Sequence, residues 1–186
     1  ADLSGDKFKT APGTSFFQFA EGVRSDDQRN RFGAEAAWVL GPFALKGEWM
    51  QTELLDLELG GQKNDVDIDG WYIGASWFIT GEKKSPKKGK FGRLTPKNRF
   101  NPTEGKFGAF ELVARVEKFD LDSDLIKKGF GTGSDQVDVF AVGLNWYLNN
   151  MVLIRLNYLH NSFDDKLGRL KDDNEDVFLS RFQVEF

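Results

Sequence analysis

Apolar and polar residues alternate one for one along most of this chain, and a period of two dictates extended strands with one apolar and one polar face. Near the end, Phe178, Phe182, Val184 and Phe186 share one parity, against Arg181, Gln183 and Glu185. Residues 151–162 set Val152, Ile154, Leu156 and Tyr158 against Arg155 and Asn157, and residues 137–148 set Phe140, Val142, Leu144 and Trp146 against Ala141, Gly143 and Asn145. The pattern recurs at 108–120, 68–80, 43–53 and 31–40, where Glu111, Arg115, Glu117, Lys46, Glu48, Arg31 and Glu35 occupy the polar parity. These are seven strands of roughly ten residues or slightly more, long enough to cross a bilayer. Residues 1–30 allow two readings, an eighth strand at 3–11 or a strand at 14–24 carrying Phe16, Phe17 and Phe19, and the first is preferred.

Connections come in two lengths. Gly41-Pro42 and Asn149-Asn150 are tight turns of residue types that accept turn dihedrals. The segments 54–67, 121–136 and 163–175 are polar and read as longer loops. Short turns on one rim and long loops on the other is the build of an outer-membrane barrel.

Composition removes most chemistry. The 186 residues include no cysteine and a single histidine, His160, so thiolate metal sites, thiol nucleophiles and histidine triads have no residues to use. Asp120, Asp122 and Asp124 begin like a calcium loop, but Ile126 and Lys127 stand where glycine and further ligands belong. Gly129, Gly131 and Gly133 lack the Lys-Ser/Thr context of a phosphate loop and read as turn residues. No enzyme, metal or cofactor is expected. The longest uncharged stretch, Val139–Ile154, covers 16 residues and contains three asparagines, which excludes a membrane-spanning helix. With no basic n-region followed by an apolar h-region, any signal peptide is expected to be already removed.

Alternation alone leaves a soluble sandwich or lipocalin-like barrel open. Long strands, large aromatic apolar faces and the final Phe186 favour a transmembrane antiparallel β-barrel. Trp38, Trp49, Trp77, Trp146, Tyr147 and Tyr158 fall near strand ends, where an aromatic girdle meets the lipid interface.

Several blocks resemble the C-terminal half of the phosphate-selective porin O and P family. They are Gly41-Pro42-Phe43 with Lys46-Gly47-Glu48-Trp49-Met50, then Gly70-Trp71-Tyr72-Ile73 running into Thr80-Gly81-Glu82 and Thr95-Pro96. Gly108-Ala109-Phe110-Glu111-Leu112-Val113-Ala114-Arg115, Gly143-Leu144-Asn145-Trp146-Tyr147-Leu148-Asn149 and Arg181-Phe182-Gln183-Val184-Glu185-Phe186 follow in the family's order. The resemblance implies an all-β, sixteen-stranded barrel in the bacterial outer membrane that forms homotrimers and passes small anions, probable substrates being phosphate and related oxyanions. It also implies contact with membrane lipid and lipopolysaccharide, and it marks Phe186 as the signal read by the barrel assembly machinery. Only seven or eight strands are present, so the chain is read either as the C-terminal part of a longer porin or as a small closed eight-stranded barrel with a binding or anchoring role.

The segment 81–107 is the least ordinary. Lys83, Lys84, Lys87, Lys88, Lys90, Arg93, Lys97, Arg99 and Lys106 face only Glu82 and Glu104, a balance of +7 in a chain whose net charge is −4. Pro86, Pro96 and Pro102 forbid a regular strand or long helix here. With a periplasmic C-terminus, strand polarity puts this segment on the short-turn side, where a long connection is anomalous. It is expected to fold into the lumen and attract anions, since one sign of charge between low-dielectric walls focuses the field. The expected pore-lining cations are Lys83, Lys84, Lys87, Lys88, Lys90 and Arg93, joined by Arg115, Arg155 and Arg181 from the polar parity. A solvated basic loop is the plainer alternative. Nucleic acid is not an expected partner, because only Phe91 and Phe100 interleave the charges.

Overall fold

A computed structural model describes residues 1–26, 28–84, 86–87, 90–91, 94–164 and 173–185, with backbone alone at 86–87 and 90–91. Its strands open with three short ones, β1 (Lys7–Lys9), β2 (Ser15–Phe19) and β3 (Arg24–Ser25). Long strands follow at β4 (Arg29–Leu40), β5 (Phe43–Leu59) and β6 (Gln62–Phe78). A small hairpin, β7 (Pro86–Lys87) and β8 (Lys90–Phe91), lies inside the basic segment. The chain continues through β9 (Ala109–Leu121), the helical turn α1 (Asp124–Lys127), β10 (Gly131–Gly133), β11 (Gln136–Tyr147), β12 (Val152–Phe163) and β13 (Asn174–Val184).

The long strands form one antiparallel wall in the order β13-β12-β11-β9-β6-β5, with β4 and β3 lying one after the other along the far edge of β5. Among the described residues, β13 pairs only with β12 and β4 only with β5, so the sheet is open. Register keeps parity across the whole wall. Trp38, Leu45, Ala75, Ala114, Val142, Tyr158 and Phe178 stand opposite one another strand by strand. This row and its neighbours form an exposed apolar outer face that includes Ile73, Leu112, Phe140, Leu156 and Phe182. The outer face is bounded by aromatic pairs. Trp49 lies opposite Trp71 at one level, and Phe43 stacks on Trp77 with ring centroids 5.7 Å apart at the other. Six residues separate the two levels along β6, roughly 20 Å at strand rise, which matches the apolar band of an outer-membrane barrel.

The long strands predicted from alternation are all present, but 54–67 is not a loop. β5 and β6 run on past the apolar band as a hairpin closed by Gly60 and Gly61, whose φ angles of 58° and 85° need the left-handed region. A bulge explains the misreading. Register shifts between Leu54 and Leu57, and Asp56 (φ 50°) is the extra residue, its N–H donating to Asp65 Oδ1 at 2.9 Å. One inserted residue flips parity, so Leu57 points inward and is fully buried, although odd positions of β5 face outward below the bulge.

Residues 3–11 are not an eighth wall strand either. Only Lys7–Lys9 is strand, and it pairs with β2, which pairs in turn with β10 to make a separate three-stranded sheet. Gly131–Gly133, expected as turn residues, supplies its third strand. Phe16, Phe17 and Phe19 join Leu121, Leu125, Phe130, Val137 and Phe163 in a buried core at the long-loop rim, with Leu57 and Val66 from the hairpin. Thr10 donates to Glu175 of β13 at 3.1 Å, as does Asn161 of β12 at 2.7 Å, which ties this small sheet to the inner face of the wall. The inner face is therefore roofed at that rim. Phe17→Ala should weaken the roof by about 3–5 kcal/mol. Limited proteolysis of the membrane-reconstituted protein then cuts within residues 7–19 at lower protease concentrations, while the wall strands stay intact. Unchanged resistance there would contradict this packing.

Candidate functional site

The opposite end of the inner face carries the site. Phe78, Glu111, Asn145, Arg155 and Arg181 stand opposite one another across β6, β9, β11, β12 and β13, next to the rim that bears both tight turns. The alternating parity of each strand puts these side chains inward, where the sequence places polar residues on strands whose other face is apolar.

Glu111 is 1% exposed and lies at the centre. Its Oε2 accepts from Asn145 Nδ2 at 2.9 Å and from the Tyr147 hydroxyl at 2.8 Å. Its Oε1 meets Lys84 Nζ at 2.5 Å, and Lys84 also donates to Ser76 Oγ at 2.7 Å. A buried carboxylate is tolerated when its charge is paired, as Glu111 is by Lys84 on Oε1 while Oε2 takes two hydrogen bonds. The pair crosses from the wall to the basic segment, so it pins the beginning of that segment against the inner face. Nearby, Glu82 is buried and accepts from the Lys97 backbone N–H at 3.2 Å, and Lys97 Nζ donates to Gly81 O at 2.7 Å. These bonds tie the start of the segment to Lys97, past its midpoint.

Between segment and wall lies a cavity of about 1090 Å³. Lys83, Lys84, Leu94 and Thr95 line it from the segment, and Asn145, Arg155, Asn157 and Glu185 line it from the wall. Lys83 is exposed, and Lys84 is neutralised by Glu111. Arg155 Nε is buried without a hydrogen-bond partner among the described residues. The Cα partner of Arg155 across the ladder is Arg181, so two guanidinium groups share one cross-strand position. Like charges placed so repel, and an anion between them relieves the repulsion.

The remaining sequence candidates fall elsewhere. Arg115 is in the middle of the inner face, ion-paired with Glu117 and 4.0 Å from the centroid of the Tyr72 ring, whose hydroxyl donates to Glu48 at 2.9 Å. Lys46 lies 3.4 Å from Glu35 on β4, the cross-strand pairing that mixed charge on neighbouring strands implies, and 3.9 Å from Glu48 two residues along its own strand. Lys87 and Lys90 pair through their backbones in the small hairpin, whereas Lys88, Arg93 and Phe186 lie outside the described residues. Glu111 and Asn145 were legible only as inward-facing polar positions, and Tyr147, read as an aromatic of the lipid-interface girdle, instead points inward to Glu111; nothing in the spacing marks them as the anchor for Lys84. His160, the single histidine, is partnered on β13: its Nδ1 is 2.7 Å from Asp176 Oδ1.

An antiparallel wall with a belted apolar outer face, a polar inner face and a basic segment against that inner face is part of an outer-membrane β-barrel of porin type. A family model described as phosphate-selective porin O and P matches residues 13–186, and the chain belongs to that family, as a bacterial outer-membrane protein. It is similar to porin O of Pseudomonas aeruginosa, at 27% identity over 160 residues. The alignment takes in 83% of this chain but 35% of the relative, so the chain spans about a third of that relative's length.

Proposed function

We infer that this chain supplies wall strands and a basic constriction to a porin through which small anions, phosphate or a related oxyanion foremost, diffuse passively. The observation that carries the reading is the convergence of Lys83 from the basic segment with Arg155 from β12 on one inner-face cavity. A passing oxyanion sheds part of its hydration there. The Arg155 guanidinium offers a planar fork to its oxygens, Lys83 a compact charge, and the Asn145 and Asn157 amides neutral donors. Lys84 acts differently on this reading: bound to Glu111, it positions the segment rather than the anion. The complete protein works as a homotrimer in contact with lipopolysaccharide, inserted by the assembly machinery that reads the terminal Phe186.

The test is the zero-current potential of the complete protein in a planar bilayer under a potassium chloride gradient. A potential of the sign set by chloride is expected, with current reduced as phosphate is added. Cation preference would overturn the proposal.

A further inference from the structure

We propose that residues 96–107, the second half of the basic segment, form an anchor on the outside of the wall that binds the phosphodiester headgroups of membrane phospholipid. The segment thus divides: its first part faces the inner cavity and its second part faces lipid. The evidence is the way it sits on β11. Phe100 N–H donates to Leu148 O at 2.7 Å, and the Phe100 ring meets Trp146 edge-on with centroids 5.5 Å apart. Trp146 belongs to the outward parity of β11, stacks on Phe110 of β9 at 5.6 Å, and donates from Nε1 to Phe107 O at 2.6 Å. Gly108, at φ 78°, returns the chain to β9 so close to the wall that a Cβ would lie 2.2 Å from Tyr147 O.

This stretch is built, not slack. Asn101 and Lys106 exchange backbone hydrogen bonds of 2.8 and 3.0 Å around a single turn at Pro102–Glu104. Yet Phe107 is 56% exposed and Phe100 37%, side by side with the apolar belt of the wall. Both rings gain when taken out of water, so a solvated position wastes them. Lys97 and Arg99 are exposed close by in the chain, and Lys106 is paired with Glu104 at 2.5 Å. Aromatic rings at the end of a lipid-facing band, flanked by long cationic side chains, match the boundary between acyl chains and phosphates. Such cations are drawn to an anionic surface. Continuity with the outward belt and the excess of cations select phospholipid as the occupant.

These 186 residues hold no cysteine, so once any cysteine elsewhere in the complete protein is replaced a single introduced thiol takes the label. A nitroxide at Phe107→Cys, in the complete protein reconstituted into phosphatidylcholine bilayers containing phosphatidylglycerol, should collide with oxygen and be shielded from an aqueous nickel chelate. Free access for nickel would mean a solvated loop, and protection from both reagents would mean cover by a second copy or by the barrel interior; either overturns the proposal. A bimane at the same site should be quenched several-fold more by brominated phosphatidylglycerol than by brominated phosphatidylcholine at equal mole fraction. That preference should vanish in K97Q/R99Q. Equal quenching by the two lipids with the basic residues intact would also overturn it.

Discussion

Glu111→Ala is expected to widen the channel and make its current noisy. The substitution removes the carboxylate that holds Lys84 at 2.5 Å and that receives Asn145 and Tyr147. Breaking a buried ion pair by deleting one partner costs about 3–5 kcal/mol, because the remaining charge is left uncompensated. Here that charge is on the segment, which Lys84 attaches to the wall at this point through Glu111 and Ser76. Lys84 then moves toward water and carries the segment with it, so single-channel conductance rises several-fold and anion preference falls as the cavity opens. The alternative outcome is equally distinct. If the segment stays in place, a Lys84 without the Glu111 carboxylate adds positive charge to an unchanged opening, and anion preference rises at constant conductance. That result would refute the anchoring role of the pair.

Arg155→Glu should have the largest effect on selectivity. It turns a partly buried guanidinium, whose Nε has no hydrogen-bond partner among the described residues, into a carboxylate at a position directly across the ladder from Arg181. The substitution changes the local charge by two, and a unit charge in contact with an ion is worth about 4 kcal/mol at an effective dielectric constant of 20. The introduced carboxylate pairs with Arg181, cancelling both cations at once. The zero-current potential should move from the anion side toward zero or beyond, with conductance little altered, and phosphate should lose its grip on the current. R155K separates charge from shape: it should keep the sign of the potential but weaken the phosphate effect, since an ammonium lacks the planar fork. An unchanged potential in R155E would show that Arg155 lies off the ion path.

The sequence revealed the wall because the bilayer imposes the same rule on every strand that crosses it. Each outward position from Phe43 to Trp49, or from Trp71 to Trp77, must be apolar or small, whatever the inner residue does. Beyond the apolar band that rule lapses. The outward side of the β5–β6 hairpin meets water, and the bulge at Asp56 moves Leu57 to the other parity, so a regular strand pair reads as a charged loop. The small sheet was hidden for a different reason. Its strands are three to five residues long, and they are held by Phe130, Leu121 and Phe163, contacts made by residues far along the chain. Local periodicity carries no trace of such partners.

The candidate site divides along the same line. Inward positions such as Arg155 and Arg181 were readable from parity, as was the charge imbalance of 81–107. Which acid anchors that segment was not readable, because Glu111 differs in no local respect from Glu117 on the same strand. Glu117 pairs with Arg115 two residues away, whereas Glu111 is buried beneath a distant lysine. Phe100 looked like an incidental aromatic among charges; its role and that of Phe107 depend on Trp146, which reaches them only after β9 and β11 have paired.

The central claim is that the beginning of the basic segment borders the ion path. In the most direct test, Lys83→Cys in the complete protein, with any cysteine outside these 186 residues replaced, is modified with a negatively charged methanethiosulfonate during current recording. A steep fall in current and a loss of anion preference are expected, because a cation lining the cavity becomes an anion there. Modification that leaves current and potential unchanged would contradict it.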